Sequence, residues 1–298
     1  MRSASFSTTG YRIFPMRLLQ ITCAFLLAGL AALLPPARTT AAAQSQPDPS
    51  APRGLDQVLD VYVRDGLVYY RALKADRARL DAYVNSLASV AIERESSAAQ
   101  IAFWLNAYNA IVLETVIDHY PTGARSKEYP AGSVRQISGA FERLTHRVAG
   151  RTVTLDQIEQ QILPEFKDPR VYLALGRGAV GSGRLRSEAF GAESVDRQLN
   201  EVARECLTRA QCVEIDRGQN VVRLSSIFSW REAMFTSAFA DKAAPLFASR
   251  SPIERAAMAF VAPHLTGGER VFIEENTFKV EYSTFDWSLN DLTGRGGR

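Results

Sequence analysis

Chemically reactive side chains are scarce in this sequence. Three histidines (His119, His146, His264) and three cysteines (Cys23, Cys206, Cys212) occur among 298 residues. No histidine stands beside another histidine, a cysteine or a carboxylate at ligand spacing, so a zinc site has no support and no metal is expected. His119 precedes Tyr120-Pro121, where a helix C-terminal cap explains it. His146, in an arginine-rich segment, and His264, beside Pro263, read as surface residues. A one-sided charge is lacking too: 35 Lys and Arg stand against 32 Asp and Glu. Without a basic stripe interleaved with aromatics, nucleic acid is not an expected partner. Internal repeats and adhesive low-complexity segments are also missing.

What is present begins at the N-terminus. Arg2, Arg12 and Arg17 precede an apolar run from Ile21 to Leu34, and small residues then lead to Ala41-Ala42-Ala43. That order predicts a signal peptide over residues 1–43 and an exported product, periplasmic or secreted. A membrane anchor would need about 20 apolar residues, so no stable span is expected after cleavage. Met16 offers an alternative start, and Cys23 lies too early in the run to serve as a lipid-attachment site. Residues 44–53 read as a Pro, Ser and Gln linker, and 54–298 as one globular domain. Cys206 and Cys212 remain in it, either as a local disulfide of an oxidising compartment or as two buried thiols. Closing so small a loop stabilises by about 2 kcal/mol.

Apolar spacing predicts helices over Leu55 to Val63 and Asp76 to Leu87, separated by Asp65-Gly66 and a β-rich Leu67 to Tyr70. Ala98 to Asp118 forms a central buried helix, because Ile101 to Leu113 carries no charge yet includes Asn106, Tyr108 and Asn109. Thr154 to Gln157 spells a capping box for a helix running to Leu163, where Pro164 ends it. Val171 to Leu175 reads as a short strand before the glycine-rich loop Gly176 to Gly183. Ser194 caps a helix through Cys206. Cys212 to Asp216 and Val221 to Leu224 read as a hairpin. Helices follow over Trp230 to Phe239 and Pro252 to Val261, and a second hairpin over Arg270 to Tyr282 turns at Asn276. Helices segregated from short antiparallel strands and hairpins define an α+β fold, helix-rich and single-domain.

Gly176 to Gly181 matches G-x-G-x-x-G, but no long helix begins inside the glycines, so a dinucleotide has no site and no cofactor is expected. The loop amides with Arg177, Arg184 and Arg186 offer an anion nest, or else three solvated arginines. Asn106 and Asn109 stand one turn apart on a buried face. They either tie loops to the core or line a pocket, since an unpaired buried amide costs about 1–3 kcal/mol. Glu159 is a candidate for orienting a pocket group.

The segments Phe103 to Ala110, Leu155 to Glu159 and Asp168 to Leu175 resemble the signature segments of the family called domain of unknown function 547. Tyr62 to Gly66, Ile227 to Trp230 and Asp286 to Asn290 resemble it further. The resemblance implies histidines where this chain has Gln160 and Tyr172, cysteines at Arg177 and Ser182, and a proline at Gly183. A thiol beside an imidazole is a nucleophile and base pair, or a metal-binding one; this chain has none of those four groups. The expectation is therefore a non-catalytic exported member that binds a small anionic ligand or an envelope protein. Its pocket would draw on Asn106, Asn109, Glu159, Tyr172, Arg177, Ser182, Arg184 and Arg186. The alternatives are a hydrolase or transferase in which Ser182 replaces a cysteine, with a distant histidine as base, and a structural envelope protein.

Overall fold

A cis peptide bond between Tyr120 and Pro121 ends the helix around which this chain is built. The computed structural model describes residues 53–293; the signal peptide and nearly all of the linker read from the sequence lie outside the described residues. Helix α1 (Arg53–Tyr62) buries Leu55, Val58 and Leu59. A two-residue turn at Asp65-Gly66, both at positive φ, then joins β1 (Val63–Arg64) to β2 (Leu67–Val68). Positive φ at both central residues matches the twist of the paired strands. The β-rich stretch is shorter than expected: Tyr70 opens α2 (Tyr70–Ala75), its ring buried and its hydroxyl donating to Asn290 Oδ1 at 2.6 Å. Helix α3 (Ala78–Ser86) follows and runs into a 3-10 turn, Leu87–Ser89.

The central helix α4 (Ser97–His119) is capped by Ser96, whose hydroxyl accepts from Ala99 N at 3.2 Å, and is buried along most of its length. A hairpin of β3 (His146–Val148) and β4 (Arg151–Val153) places His146 in a half-buried strand, where burial pushes its imidazole pKa down. The capping box at Thr154 forms as read and opens α5 (Leu155–Gln157). The helix then widens into a π turn, Ile158–Ile162, and tightens into a 3-10 turn, Leu163–Phe166. Pro164 sits inside that last turn, and Lys167, at φ 54°, closes it.

Three strand expectations are corrected. The stretch expected as a strand from Val171 to Leu175 is mostly a 3-10 turn, Pro169–Leu173, because the Asp168 side chain caps it from Arg170 N at 3.0 Å and Pro169 presets the turn. Arg270 to Glu275 belongs to a helix, and Asn276, in the left-handed conformation, caps that helix in place of turning a hairpin. The last strand pairs parallel, so the sheet is mixed. Its strands are β5 (Val213–Asp216), β6 (Val221–Ser225) and β7 (Lys279–Ser283), with β6 in the middle, antiparallel to β5 and parallel to β7.

The remaining helices are α6 (Val195–Leu207), α7 (Ser226–Trp230), α8 (Glu232–Phe239), α9 (Pro252–Val261) and α10 (Gly267–Glu275). Ser194 does not cap α6 with its side chain; its hydroxyl donates to Gln198 Oε1 at 3.0 Å. Cys206 and Cys212 are joined by a disulfide with Cα atoms 5.2 Å apart, tying the end of α6 to the start of the sheet. The C-terminal segment crosses the glycine loop through Val180 N to Ser288 O (2.8 Å) and Gly181 N to Asp286 O (2.8 Å), then bridges Asp291 to Val68. The architecture is α+β, with one contiguous apolar core around α4. Among the described residues, no helix is long and apolar enough to cross a membrane.

Candidate functional site

Glu159 leaves the capping-box helix within its π turn, a geometry that recurs at functional positions because the extra residue re-aims a side chain. Its carboxylate is buried and held by three donors. Arg177 Nη2 reaches Oε1 at 2.6 Å, Arg231 Nη2 reaches the same oxygen at 2.7 Å, and the Tyr108 hydroxyl donates to Oε2 at 2.9 Å. Burial alone would raise the Glu159 pKa, but the two guanidinium groups outweigh it and hold the carboxyl at about 2. Burial likewise pushes the Tyr108 phenol well above its ordinary value, with the Glu159 charge adding to it.

Arg177 is almost completely enclosed, and its other amino group faces the carbonyls of Tyr172 (3.3 Å) and Leu175 (3.5 Å). Arg231 is a second cation on a carboxylate that Arg177 already neutralises. It lies in the break between α7 and α8, donates to Gln160 Oε1 at 2.5 Å, and stacks over the Tyr172 ring at 4.6 Å. The buried Tyr172 hydroxyl has no hydrogen-bond partner among the described residues. Thus Gln160, Tyr172 and Arg177, three of the positions where the family resemblance implies imidazole or thiol groups, converge around Glu159.

Glu159, Gln160, Arg177 and Arg231 line a cleft of about 320 Å³, with Tyr172 outside its lining. The same lining is rich in aromatics. Trp287 packs on Phe141 with centroids 6.0 Å apart, and Trp230 stacks on Trp287 at 6.2 Å and an interplanar angle of 22°. Arg135 lies between Phe141 and Trp287, its guanidinium carbon 4.6 and 4.5 Å from the two ring centroids, and pairs with Glu142. Trp230 is 44% exposed. An indole open to solvent beside desolvated cations gives a ligand both an apolar platform and a charge partner.

The other residues singled out in the sequence lie elsewhere. Asn106 exchanges two hydrogen bonds with Phe190, each 2.8 Å, while Asn109 donates to Ala174 O at 3.2 Å and accepts from Gly176 N at 2.8 Å. Both amides tie loops to the core. Ser182 accepts from Arg177 N at 3.0 Å and borders a separate cavity of about 30 Å³ beside the disulfide, with Arg184 but with no histidine or carboxylate in its lining. Arg184 pairs with Glu205 at 3.1 Å and Asp65 at 3.2 Å, and Arg186 with Glu201 at 2.7 Å and Glu188 at 2.5 Å. The three arginines therefore face carboxylates of this chain: Arg184 and Arg186 share Glu205, which lies 3.8 Å from Arg186, while Arg177 faces Glu159. Sequence reasoning did not bring in Arg135, Phe141, Asp156, Trp230, Arg231 and Trp287 as pocket residues. The available signal was that Trp230 and Trp287, like Trp104, fall in segments resembling the family.

Residues 92–207 match the model of a family described as "Protein of unknown function, DUF547". The chain resembles that family across α4, the capping-box helix, the glycine loop and α6. The match includes Glu159, Gln160, Tyr172 and Arg177 and stops before Trp230, Arg231 and Trp287. No curated protein and no solved structure matches the chain.

Proposed function

We propose that this chain is an exported, non-catalytic binding protein whose cleft takes a small ligand joining a carboxylate to a planar apolar face. The supporting observation is the charge and shape of the cleft. Three guanidinium groups (Arg135, Arg177, Arg231) meet two carboxylates (Asp156, Glu159) in its lining, together with Trp230 and Trp287. Arg177 is enclosed, so Arg231 and Arg135, which pair with Glu159 and Glu142 but keep more of their side chains open, are the cations that meet a ligand acid, and the exposed indole covers its flat face. The absence of a base around Ser182 favours binding over acyl transfer, because a hydroxyl needs a proton acceptor within hydrogen-bond reach. Export rests on the order of charge, apolar run and small residues before Ala43, and the N-terminal sequence of material recovered outside the cytoplasm should begin near Gln44.

Calorimetric titration with phenylacetate, and with benzyl alcohol as its neutral counterpart, tests the cleft. The acid should bind about tenfold or more tightly than the alcohol, and both Arg231→Gln and Trp230→Ala should weaken it by a similar factor. Equal affinity for acid and alcohol, or unchanged binding in both variants, would overturn the assignment. Turnover of ester or thioester substrates that disappears in Ser182→Ala would overturn the non-catalytic reading.

A further inference from the structure

The geometry points to a second binding site, distant in function from the tryptophan cleft: a basic groove for an acidic polysaccharide. The groove encloses about 840 Å³ between the Pro169–Leu173 turn, α6, and the α8 and α9 pair. Five cationic side chains line it against two carboxylates. Arg170 is committed to Asp168 (2.7 Å) and Asp196 (2.8 Å), and Arg197 to Glu201 at 2.6 Å. Lys167, Arg204 and Lys242 have no ion-pair partner among the described residues. All three are exposed.

These three come from different elements and face one concavity, which a solvated charge on an isolated surface would not require. Arg197 and Arg204, seven residues apart on α6, stand about 10 Å apart along the helix axis, so the cations follow the groove and do not form a single point. Phe239 and Phe260 supply apolar surface in the same lining, with Lys242 5.0 Å from the Phe239 ring. Asp196, whose side chain is 79% exposed, and Asn200 add hydroxyl-binding groups on the same wall. Carboxylates and an amide among cations suit a chain bearing both acid groups and hydroxyls. A DNA duplex binds chiefly through its phosphates and offers few hydroxyls to Asp196 and Asn200, so the mixed lining favours the glycan.

Affinity electrophoresis or calorimetry with polygalacturonate, neutral dextran and a short DNA duplex separates the possibilities. Polygalacturonate should bind and weaken as salt rises from about 50 to 200 mM, while dextran should not bind. The triple variant Lys167→Gln/Arg204→Gln/Lys242→Gln should bind about tenfold or more weakly. A control variant with the same charge loss on another face, Lys127→Gln/Arg147→Gln/Arg151→Gln, should bind like the parent, and both should keep the parent melting temperature. Failure to bind polygalacturonate, equal loss in the two variants, or DNA binding as tight as the glycan's would each overturn the proposal. Phenylacetate titration of the same variants reads the cleft independently.

Discussion

Glu159→Gln is expected to destabilise the protein by about 3–5 kcal/mol, because it leaves a buried guanidinium without its counter-charge. Arg177 is 2% exposed and cannot shed its proton, and its remaining acceptors are two backbone carbonyls at 3.3 and 3.5 Å. The glutamine amide keeps one acceptor oxygen where Tyr108 now uses Oε2 and the Nη2 groups of Arg177 and Arg231 use Oε1, and it carries no charge to offset the desolvated cation. In a domain of this size that loss lowers the melting temperature by about 10 °C or more at pH 7. Arg231→Gln should cost far less, since Glu159 keeps Arg177. The effect has a pH signature. The Glu159 pKa lies at about 2 in the folded protein against 4.5 ordinarily, so its stabilisation is fully present above about pH 4.5 and disappears as pH falls toward 2. The gap between parent and variant should therefore be widest at neutral pH and close on acidification. Adding Arg177→Met to Glu159→Gln should recover part of the loss, because the pair then vanishes together. A variant that melts with the parent at pH 7, or a gap unchanged near pH 2.5, would refute the charge argument.

The same network shows what the sequence could and could not say about the site. Glu159, Tyr172 and Arg177 were identifiable because they fall in segments resembling a family, at or beside positions where other side chains are implied. Their convergence was not readable: the π turn that aims Glu159 inward leaves no periodic signal, and Arg231 is supplied by a two-helix break far along the chain. The tryptophan wall depends on the C-terminal segment packing back beside the glycine loop. Only tertiary structure brings those parts together.

Local chemistry was more readable. A charge-free run made α4 evident, and the reciprocal cap at Thr154 fixed the start of α5. Asn106 and Asn109, read as either pocket or tether, turned out to be tethers, because each amide satisfies both a backbone donor and a backbone acceptor of the neighbouring loop. The misread elements are those where short apolar runs fit two periods. Val171 to Leu175 coils because Asp168 and Pro169 start a turn, and Arg270 to Glu275 is helical with an Arg270–Glu274 pair along one face.

Gly183→Ala is expected to cost about 3 kcal/mol or more, with partial or complete loss of the cooperative transition. A Cβ there would stand 1.5 Å from Leu173 O and 2.6 Å from its carbonyl carbon, and both are backbone atoms that no rotamer change can clear. The loop cannot simply shift away. Gly181 N is bonded to Asp286 O, Ser182 N to Ala179 O, and the Ser182 hydroxyl holds Arg177 N, so moving Gly183 disturbs the segment that positions Arg177 against Glu159. Gly123→Ala is the matched control: nothing lies within 4 Å of its Cβ, and its melting temperature should stay near the parent's. Gly183→Pro should fail as Gly183→Ala does, since proline also carries a Cβ. Glycine at 183, serine at 182 and arginine at 177 are coupled in this chain: the backbone closes on Leu173, the Ser182 hydroxyl holds Arg177 N, and the Arg177 guanidinium pairs with Glu159. Thermal melts of the three variants decide it: a Gly183→Ala protein melting within about 2 °C of the parent would show that the close approach to Leu173 is not maintained, and the coupling would fall with it.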